Sequence, residues 1–407
     1  MSLNTDLQTL KTNIEGVKST LYTNLTNKGV TNITETDTLS TLADKVATIT
    51  VGEGGSGGSG IDFSPIGYDA ELSAELNSVW NNDVAYSKTL YDAWNPNSSS
   101  ALEINPPYNY ELVYYPAYPV EELTDVKNIY CYKCSKMVVF PIFNSDKVRI
   151  GQNAFYGCSS IEKLDLSGTL QQCNLKWAFE GCVNLKKIML PPNGIVSTVE
   201  GLYYTFYNCK LLTEIDNLTT LNTSSITTLD YTFCYCESLK KIDISDWDTS
   251  LVKSTNYLFN ECKAIEELAI PDNLGELCTR WSNFISGCKA LKTITGSISL
   301  KGTTSSINNG GITGYSSLDK LRKFTIKDIG YTSSCKSIEV KYLTVWGVNT
   351  SEIPDARQSL IDSLITYSFD RATAGYSTCT ITLSSNTKAL LTEDEIAQIT
   401  AKGFTIA

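Results

Sequence analysis

The chain has 407 residues, which is more than one compact core usually holds, and its 42% hydrophobic and 10% aromatic residues are typical of a folded protein with two or three domains. Acidic residues (44) outnumber basic residues (33), and the net charge of −11 argues against a surface that neutralises nucleic-acid phosphates. The absence of histidine excludes Ser–His–Asp and Cys–His nucleophilic sites and argues against a transition-metal centre, so we expect no catalytic residue, no cofactor and no metal.

The first residues, MSLNTDLQTLKTN, lack the basic start and the apolar stretch of a secretory signal. No segment approaches the ~20 apolar residues that cross a bilayer. We therefore expect a soluble chain that is made without export and does not insert into membranes.

Residues 1–50 are predicted to form a helical module. Its apolar residues recur in alternating steps of four and three, which is typical of a parallel coiled-coil seam. They are Leu3, Leu7, Leu10, Ile14, Val17 and Leu21. We expect this seam to form a homo-oligomer, a trimer in preference to a dimer, although three heptads are also compatible with a helix inside a small bundle.

Two segments connect this module to the rest of the chain. Residues 51–60 consist almost entirely of glycine and serine and are predicted to be a flexible linker. Residues 61–127 are predicted to be a helical N-terminal cap, with a helical pattern that Pro96 ends. Such a cap would cover the open strand edge of the region that follows.

The middle of the chain, residues 128–350, repeats one apolar frame around cysteines spaced 24 to 27 residues apart, which predicts a solenoid of α/β repeats. A large apolar residue stands three positions before each cysteine, and aliphatic residues stand three, six and usually eight positions after it. The cysteines, which we call the ladder cysteines, are Cys134, Cys158, Cys182, Cys209, Cys236, Cys262 and Cys288.

Each repeat divides into two predicted parts. The aliphatic pair after the cysteine predicts a short strand, and the Phe-x-x-Cys part predicts a short helix or helical turn. Gly157, Gly181, Asn208 and Gly287 directly precede their cysteines, a placement typical of a positive φ angle. Because side chains stacked in parallel point the same way, we expect the ladder cysteines to be buried free thiols and neither disulfides nor zinc ligands.

The repeat weakens at both ends of the solenoid. The predicted first coil contains Cys131, Cys134, Met137, Phe140 and Ile142. A later coil has leucine in place of cysteine and contains Tyr315, Leu318, Leu321, Phe324 and Ile326, and a weaker one ends at Leu343 and Val345. Terminal repeats have a single neighbour, so atypical sequences are expected there.

Residues 351–407 are predicted to be a C-terminal α/β cap. A helix is indicated by Ala356, Leu360, Leu364 and Ile365, and a strand by the alternation from Cys379 to Leu383. Thr392 and Glu395 form the pattern of a capping box that opens a last helix, which Gly403 ends before a strand at residues 404–406.

Two sets of side chains are candidates for function. Five positions before successive ladder cysteines stand Trp177, Tyr204, Tyr231 and Tyr257, an aromatic file that would offer flat faces to sugar rings or to a partner protein if it is exposed. The alternative is that these rings pack between neighbouring turns. Asp243, Asp246 and Asp248 suggest calcium, but they lack the spacing of a calcium loop and fit a polar turn better.

The repeat resembles the BspA-type leucine-rich repeat, whose units have the pattern Met-Phe-x-x-Cys-x-x-Leu-x-x-Leu-Asp-Leu-Ser-x-Trp-Asp-Thr-Ser. Residues 232–250, TFCYCESLKKIDISDWDTS, match it closely, and residues 154–167, AFYGCSSIEKLDLS, match it nearly as well. Members of this family are cell-surface adhesins and, in gut bacteriophages, virion proteins. Residues 27–46 also resemble the N-terminal segment of phage tail and fibre proteins.

These resemblances imply a non-enzymatic structural protein of a phage virion, associated with a tail or head fibre and located on the particle. Residues 1–50 would bind other virion proteins, and the solenoid would bind a host-surface glycan or protein. One alternative is a bacterial cell-surface adhesin of the BspA type. Another is a carbohydrate-active enzyme on a solenoid scaffold, since glycosidases need only two carboxylates.

Overall fold

The computed structural model describes residues 61–62, 103–104 and 125–407, the last range with gaps at 138–139, 141, 144, 197, 199 and 309–310. The predicted helical module and the linker lie outside the described residues. The apolar seam from Leu3 to Leu21 and its oligomeric state therefore stay predictions.

The described residues form short strands, numbered here in chain order. They are β1 Ile61–Asp62, β2 Glu103–Ile104, β3 Lys127–Ile129, β4 Ile142–Phe143, β5 Val148–Ile150, β6 Lys163–Asp165, β7 Gln172–Cys173, β8 Lys187–Met189, β9 Ile195–Val196, β10 Glu214–Asp216, β11 Lys241–Asp243, β12 Glu267–Ala269, β13 Thr293–Ser299, β14 Lys323–Lys327, β15 Ser337–Glu339, β16 Cys379–Thr382 and β17 Phe404–Ile406. The α-helices are α1 Ala356–Ile361, α2 Ser385–Lys388 and α3 Glu393–Ala401, and a π-helical turn at Asp362–Thr366 continues α1.

The strands that follow the ladder cysteines pair in parallel, as the repeat predicts. One sheet has the order β10-β8-β6 and the next has the order β11-β12-β13-β14. Equivalent positions are in register, for example Leu164 with Ile188 and Ile242 with Leu268. Their aliphatic side chains are buried while the flanking residues lie outside the core, so stacking of coils buries one face of every strand.

A second set of pairings lies before each Phe-x-x-Cys segment. The strands β2, β3 and β5 pair in parallel, and β7 pairs with β9 in the same sense. The expectation of helix is wrong at β1 and β2, which lie within residues 61–127. Here β2 pairs with β3, and β1 pairs antiparallel with β4, so backbone hydrogen bonds of strands cover this part of the early coils.

A stack of phenylalanine rings runs through the core beneath the ladder cysteines. Neighbouring rings are parallel within 14°, and their centroids lie 5.3 to 5.7 Å apart. The stack consists of Phe155, Phe179, Phe206, Phe233 and Phe259. In the next coil Ile285 occupies the same position, and Phe284 packs edge-on against Phe259 at 76°.

The late coils depart from the predicted frame. Tyr315 occupies the position predicted for the large apolar residue but is 73% exposed, because Ile312 enters the core in its place and its carbonyl accepts a hydrogen bond from the Ile285 amide. Residues 341–347 are turns, so the weak coil at Leu343 and Val345 forms no strand there.

The C-terminal cap has the predicted elements: the helix at α1, the strand β16, the capped helix α3 and the strand β17. Thr392 and Glu395 make both hydrogen bonds of the capping box, and Gly403 follows with a φ of 88°. The three strands β15, β16 and β17 form a small parallel sheet.

The cap also closes the exposed edge of β14. The amide of Phe324 donates to Ser359 Oγ (3.3 Å) and the amide of Ile326 donates to Ser363 Oγ (2.9 Å). These two serines stand four residues apart on the helix, so they lie on one side of it. Hydroxyl groups thus replace the carbonyls that a further strand would have supplied.

Candidate functional site

The Phe-x-x-Cys segments lie side by side along one edge of the solenoid, which we call the turn edge. It comprises, in each coil, the residues from six positions before the ladder cysteine up to that cysteine. These segments are consecutive turns, so of the predicted short helix or helical turn the helix does not form. The difference arises because each segment hydrogen-bonds to the next coil: the amides of Trp177, Phe179 and Gly181, for example, donate to the carbonyls of Tyr203, Thr205 and Tyr207.

Two backbone positions of the turn edge have positive φ. The first, directly before the cysteine, was predicted: φ is 71° at Gly157, 75° at Gly181, 62° at Asn208 and 77° at Gly287. The second, five positions before the cysteine, was not predicted. There φ lies between 49° and 59° at Asn153, Trp177, Tyr204, Tyr231, Tyr257 and Asn283.

The residue types at the second position, five residues before the cysteine, are unexpected for a positive φ angle. A left-handed backbone costs roughly 1–2 kcal/mol for an L-residue with a large side chain, whereas asparagine tolerates it. Asparagine stands there in the flanking coils, at Asn153 and Asn283, but four successive coils between them carry an aromatic residue instead. The aromatic file therefore occupies positions at which asparagine would adopt the left-handed backbone at a lower cost in free energy.

The tyrosines of the file stack on one another. The ring centroids of Tyr204 and Tyr231 lie 4.3 Å apart, and those of Tyr231 and Tyr257 lie 4.7 Å apart with planes within 5°. All three side chains are partly buried and partly exposed. Desolvation raises the pKa of Tyr204, and the electrostatic effect of Tyr231 raises it further. The Tyr204 hydroxyl also hydrogen-bonds to Tyr231.

Trp177 joins this stack through a residue that the sequence did not single out. Its indole meets the Tyr203 ring edge-on, with centroids 5.9 Å apart, and Tyr203 in turn contacts Tyr204 at 4.6 Å. The ammonium group of Lys176 lies 4.4 Å from the Trp177 ring centroid. The file is therefore one connected surface, but Trp177 is attached at its side rather than in its stack.

Tyrosines outside the file widen the surface. Tyr207 contacts Tyr204 at 4.9 Å, Tyr231 at 6.1 Å and Tyr235 at 5.7 Å between ring centroids. Tyr207 and Tyr235 share no register in the repeat, because they stand two and one positions before their cysteines. The contact between Tyr207 and Tyr235 is therefore visible in the structure but not in the repeat pattern.

An acidic residue lies between this surface and a smaller aromatic pair. Tyr132 stacks on Tyr156 at 4.9 Å, and Tyr156 hydrogen-bonds to Glu180. Desolvation raises the pKa of Glu180, and the Glu180 charge is the largest contribution that raises the pKa of Tyr156. The same charge also acts on Tyr207. We call the connected rings from Trp177 to Tyr257, together with Glu180, the aromatic surface.

The ladder cysteines are buried free thiols, as predicted, but they also make a hydrogen bond that the sequence did not indicate. Each thiol donates to a carbonyl of the preceding coil, at 3.0 to 3.2 Å, in the six coils after the first. In five of these coils the acceptor is the carbonyl of a core phenylalanine. Desolvation raises the pKa of Cys158, Cys182 and Cys209, so these thiols stay protonated donors.

The aspartate cluster is a polar turn. Asp243 accepts hydrogen bonds from the amide and the hydroxyl of Ser245, and Asp248 accepts one from the Ser250 amide at 3.0 Å. Within the part of the chain that the structure describes, no group of three or more acidic or cysteine side chains could hold a metal ion.

The side of the solenoid next to the turn edge is charged, and its charges pair between coils. We call this side, formed by the exposed residues of β6, β8, β10, β11, β12 and β13 and the residues just before these strands, the strand face. Lys186 pairs with Glu162 at 2.7 Å, and Lys187 pairs with Glu214 at 2.7 Å. Further pairs are Lys241–Glu267 and Lys292–Glu266.

Residues 124–228 and 202–342 match the profile of the BspA type leucine-rich repeat region in six copies, and the two ranges together cover more than half of the chain. This chain belongs to the BspA-type leucine-rich repeat family. The solenoid described above is the repeat region of that family.

Comparison with solved structures finds similarity to a leucine-rich repeat protein from Bacteroides ovatus, with 15% identity over 72% of this chain and 83% of that chain and a TM-score of 0.29. Comparison with curated proteins finds no match. Among the described helices of this BspA-type protein, none is long and apolar enough to span a membrane.

Proposed function

We propose that this BspA-type protein is a non-enzymatic binding protein whose aromatic surface binds saccharide chains. The observation that carries the proposal is the connected set of partly exposed rings from Trp177 to Tyr257, held on a backbone that is costly for aromatic residues. Because the tyrosines stack on one another, they present ring edges and hydroxyls to a ligand. The edges supply apolar contact to sugar rings, and the tyrosine hydroxyls and the Glu180 carboxylate supply hydrogen bonds to sugar hydroxyls.

The spacing of the rings also favours an extended ligand. Neighbouring coils repeat the stacked tyrosines at 4.3 and 4.7 Å, so the surface continues along the solenoid over four coils. Because backbone hydrogen bonds join the coils and the rings stack on one another, little side-chain order has to be gained on binding. A polysaccharide that runs along the solenoid axis would contact several rings at once.

The test compares the full chain with Tyr204→Ala and Trp177→Ala on a glycan array, followed by calorimetry with the glycans that bind. We expect each variant to lose affinity by about 1–3 kcal/mol, the cost of truncating a central aromatic contact. Tyr315→Ala is the matched control, because Tyr315 is an exposed tyrosine that does not belong to the aromatic surface. Unchanged binding in the folded Tyr204 and Trp177 variants would disprove the saccharide site.

For the biological setting we propose a phage virion, with residues 1–50 attaching an oligomer to other virion proteins and the solenoid facing the host surface. This rests on the resemblance of residues 27–46 to phage fibre proteins and on the coiled-coil pattern. Mass spectrometry of purified particles should detect the chain. Its absence from particles, together with its presence on bacterial surfaces, would favour the BspA-type adhesin instead.

A further inference from the structure

Two cysteines outside the ladder lie together in the C-terminal cap. Cys335 precedes β15, and Cys379 is the first residue of β16, the strand that pairs with β15. The amide of Thr380 donates to the Lys336 carbonyl at 3.0 Å, which holds the two cysteine-bearing segments side by side. Both side chains are buried, with 2% of Cys335 and none of Cys379 exposed.

The two thiols contact each other and are weakly engaged elsewhere. The Cys379 thiol hydrogen-bonds to the Cys335 sulfur. Their contacts to carbonyls are long, at 3.9 Å from Cys335 to Ser337 and 4.0 Å from Cys379 to Thr380. Thiols of the ladder, by contrast, donate to carbonyls at 3.0 to 3.2 Å.

A buried cation lies next to this pair. The Arg371 side chain is fully buried, and its guanidinium group donates to the carbonyls of Gly330 (2.6 Å), Thr332 (2.9 Å) and Ser377 (2.6 Å). In the described part of the chain no carboxylate forms an ion pair with it. A buried charge without a counter-ion is costly, so a neighbouring group that can become an anion is stabilised in that form.

Cys335 is the thiol whose pKa is lowered. The hydrogen bond from Cys379, and then the positive charge of Arg371, lower the pKa of the Cys335 thiol despite its burial, whereas the pKa of Cys379 is raised. This assigns different roles to the two sulfurs. Cys335 is the sulfur that ionises more readily, and Cys379 is the sulfur that keeps its proton and donates it.

We propose that Cys335 and Cys379 are an oxidisable thiol pair that a small-molecule disulfide converts into a disulfide bond between the segments of β15 and β16. The Cys335 thiolate attacks one sulfur of the small disulfide, whose S–S bond breaks to release one thiolate. Cys379 then gives its proton to that thiolate and attacks the Cys335 sulfur, which releases the second thiolate. The second thiolate takes up the proton that Cys335 gave to solvent when it ionised. The protein loses two hydrogen atoms, and the oxidant gains them as two thiols.

Access to Cys335 is available from the preceding turn. Ser333 and Ser334, directly before it, are exposed. Local opening of this turn would bring a small disulfide to the sulfur without unfolding the core. The new bond would close a loop between residues 335 and 379, so oxidation should stabilise the cap.

The test treats the folded full chain with oxidised glutathione, blocks the remaining thiols by alkylation and maps the products by peptide mass spectrometry. We expect a Cys335–Cys379 disulfide and a higher melting temperature of the oxidised protein. In Cys379→Ser the reaction should stop at a glutathione adduct on Cys335, and in Cys335→Ser neither product should form.

The chain contains a matched control pair. Cys262 and Cys288 also lie in neighbouring coils, but each donates to a phenylalanine carbonyl, and burial raises the pKa of Cys262. This pair should stay reduced. Arg371→Lys or Arg371→Gln should slow oxidation of Cys335 by about threefold for each unit that its pKa rises, since lower thiolate content is partly offset by higher nucleophilicity.

Two results would overturn the proposal. One is that Cys335 and Cys379 stay reduced in a folded protein under these conditions. The other is that the Cys262–Cys288 pair is oxidised equally fast, because burial alone would then account for the reaction.

Discussion

The turn edge and the strand face are built by the same repeat but use it differently. On the strand face, charged residues of successive coils pair with one another, as in Lys186–Glu162 and Lys187–Glu214. On the turn edge, aromatic residues stand at backbone positions that favour glycine or asparagine. The charges of the strand face are therefore paired within the molecule. The turn edge, in contrast, keeps partly exposed rings at a cost in folding stability.

This difference indicates which of the two regions offers a ligand the larger binding free energy. A ligand on the strand face would have to compete with ion pairs that already neutralise the charges. A ligand on the turn edge covers ring edges that would otherwise contact water, so burial of apolar area adds directly to its binding.

The largest effect is expected in the core that supports both regions. Phe206→Ala removes a fully buried ring from the middle of the phenylalanine stack and should lower the free energy of unfolding by about 3–5 kcal/mol. Urea unfolding followed by tryptophan fluorescence measures this loss. A loss below about 1 kcal/mol would mean that the coils do not depend on the stack.

A smaller effect is expected from the backbone of the turn edge. Tyr231 has a φ of 59°, so Tyr231→Gly should be more stable than Tyr231→Ala by about 1 kcal/mol, although both lack the ring. Tyr207 belongs to the same surface but has no positive φ, and there the glycine variant should be the less stable of the two. If the glycine variant is the less stable one at both positions, the backbone at Tyr231 does not destabilise the protein as we infer.

The smallest effect is expected from an exposed ion pair between coils. Lys263 and Glu237 lie 2.7 Å apart, with 47% and 27% of their side chains exposed. Lys263→Met should change the free energy of unfolding by about 0.5 kcal/mol or less, and added salt should abolish the difference. A double-mutant cycle with Glu237→Gln measures the pair itself, and a coupling well above about 1 kcal/mol would show that the charged regions stabilise the solenoid more than we infer.

Much of the fold could be predicted because it depends on periodicity and local rules. Each core aliphatic in the repeats of Cys158 and Cys236 is buried as the frame predicts, and Gly157 and Asn208 have the expected positive φ. The capping box at Thr392 also forms as predicted, since its residues are close in sequence. These features need no knowledge of how distant segments meet.

The rest depended on contacts between coils that have no fixed sequence spacing. The file of Trp177, Tyr204, Tyr231 and Tyr257 was identified by position. Tyr203 and Glu180 join the surface through contacts with residues of neighbouring coils, which the repeat spacing does not indicate. The hydrogen bonds of the ladder thiols were missed for a similar reason, since a cysteine in a core pattern does not reveal where its proton points. Whether the file binds a ligand stays a prediction.

The serine pair on the cap has a consequence for assembly. Ser359 and Ser363 occupy the amides of β14 that another chain would otherwise use to add a strand. Copies of this protein therefore cannot lengthen the sheet of β11 to β14 end to end beyond this strand. A filament that grows by strand addition at β14 is thereby excluded, and a multimer must form through other surfaces.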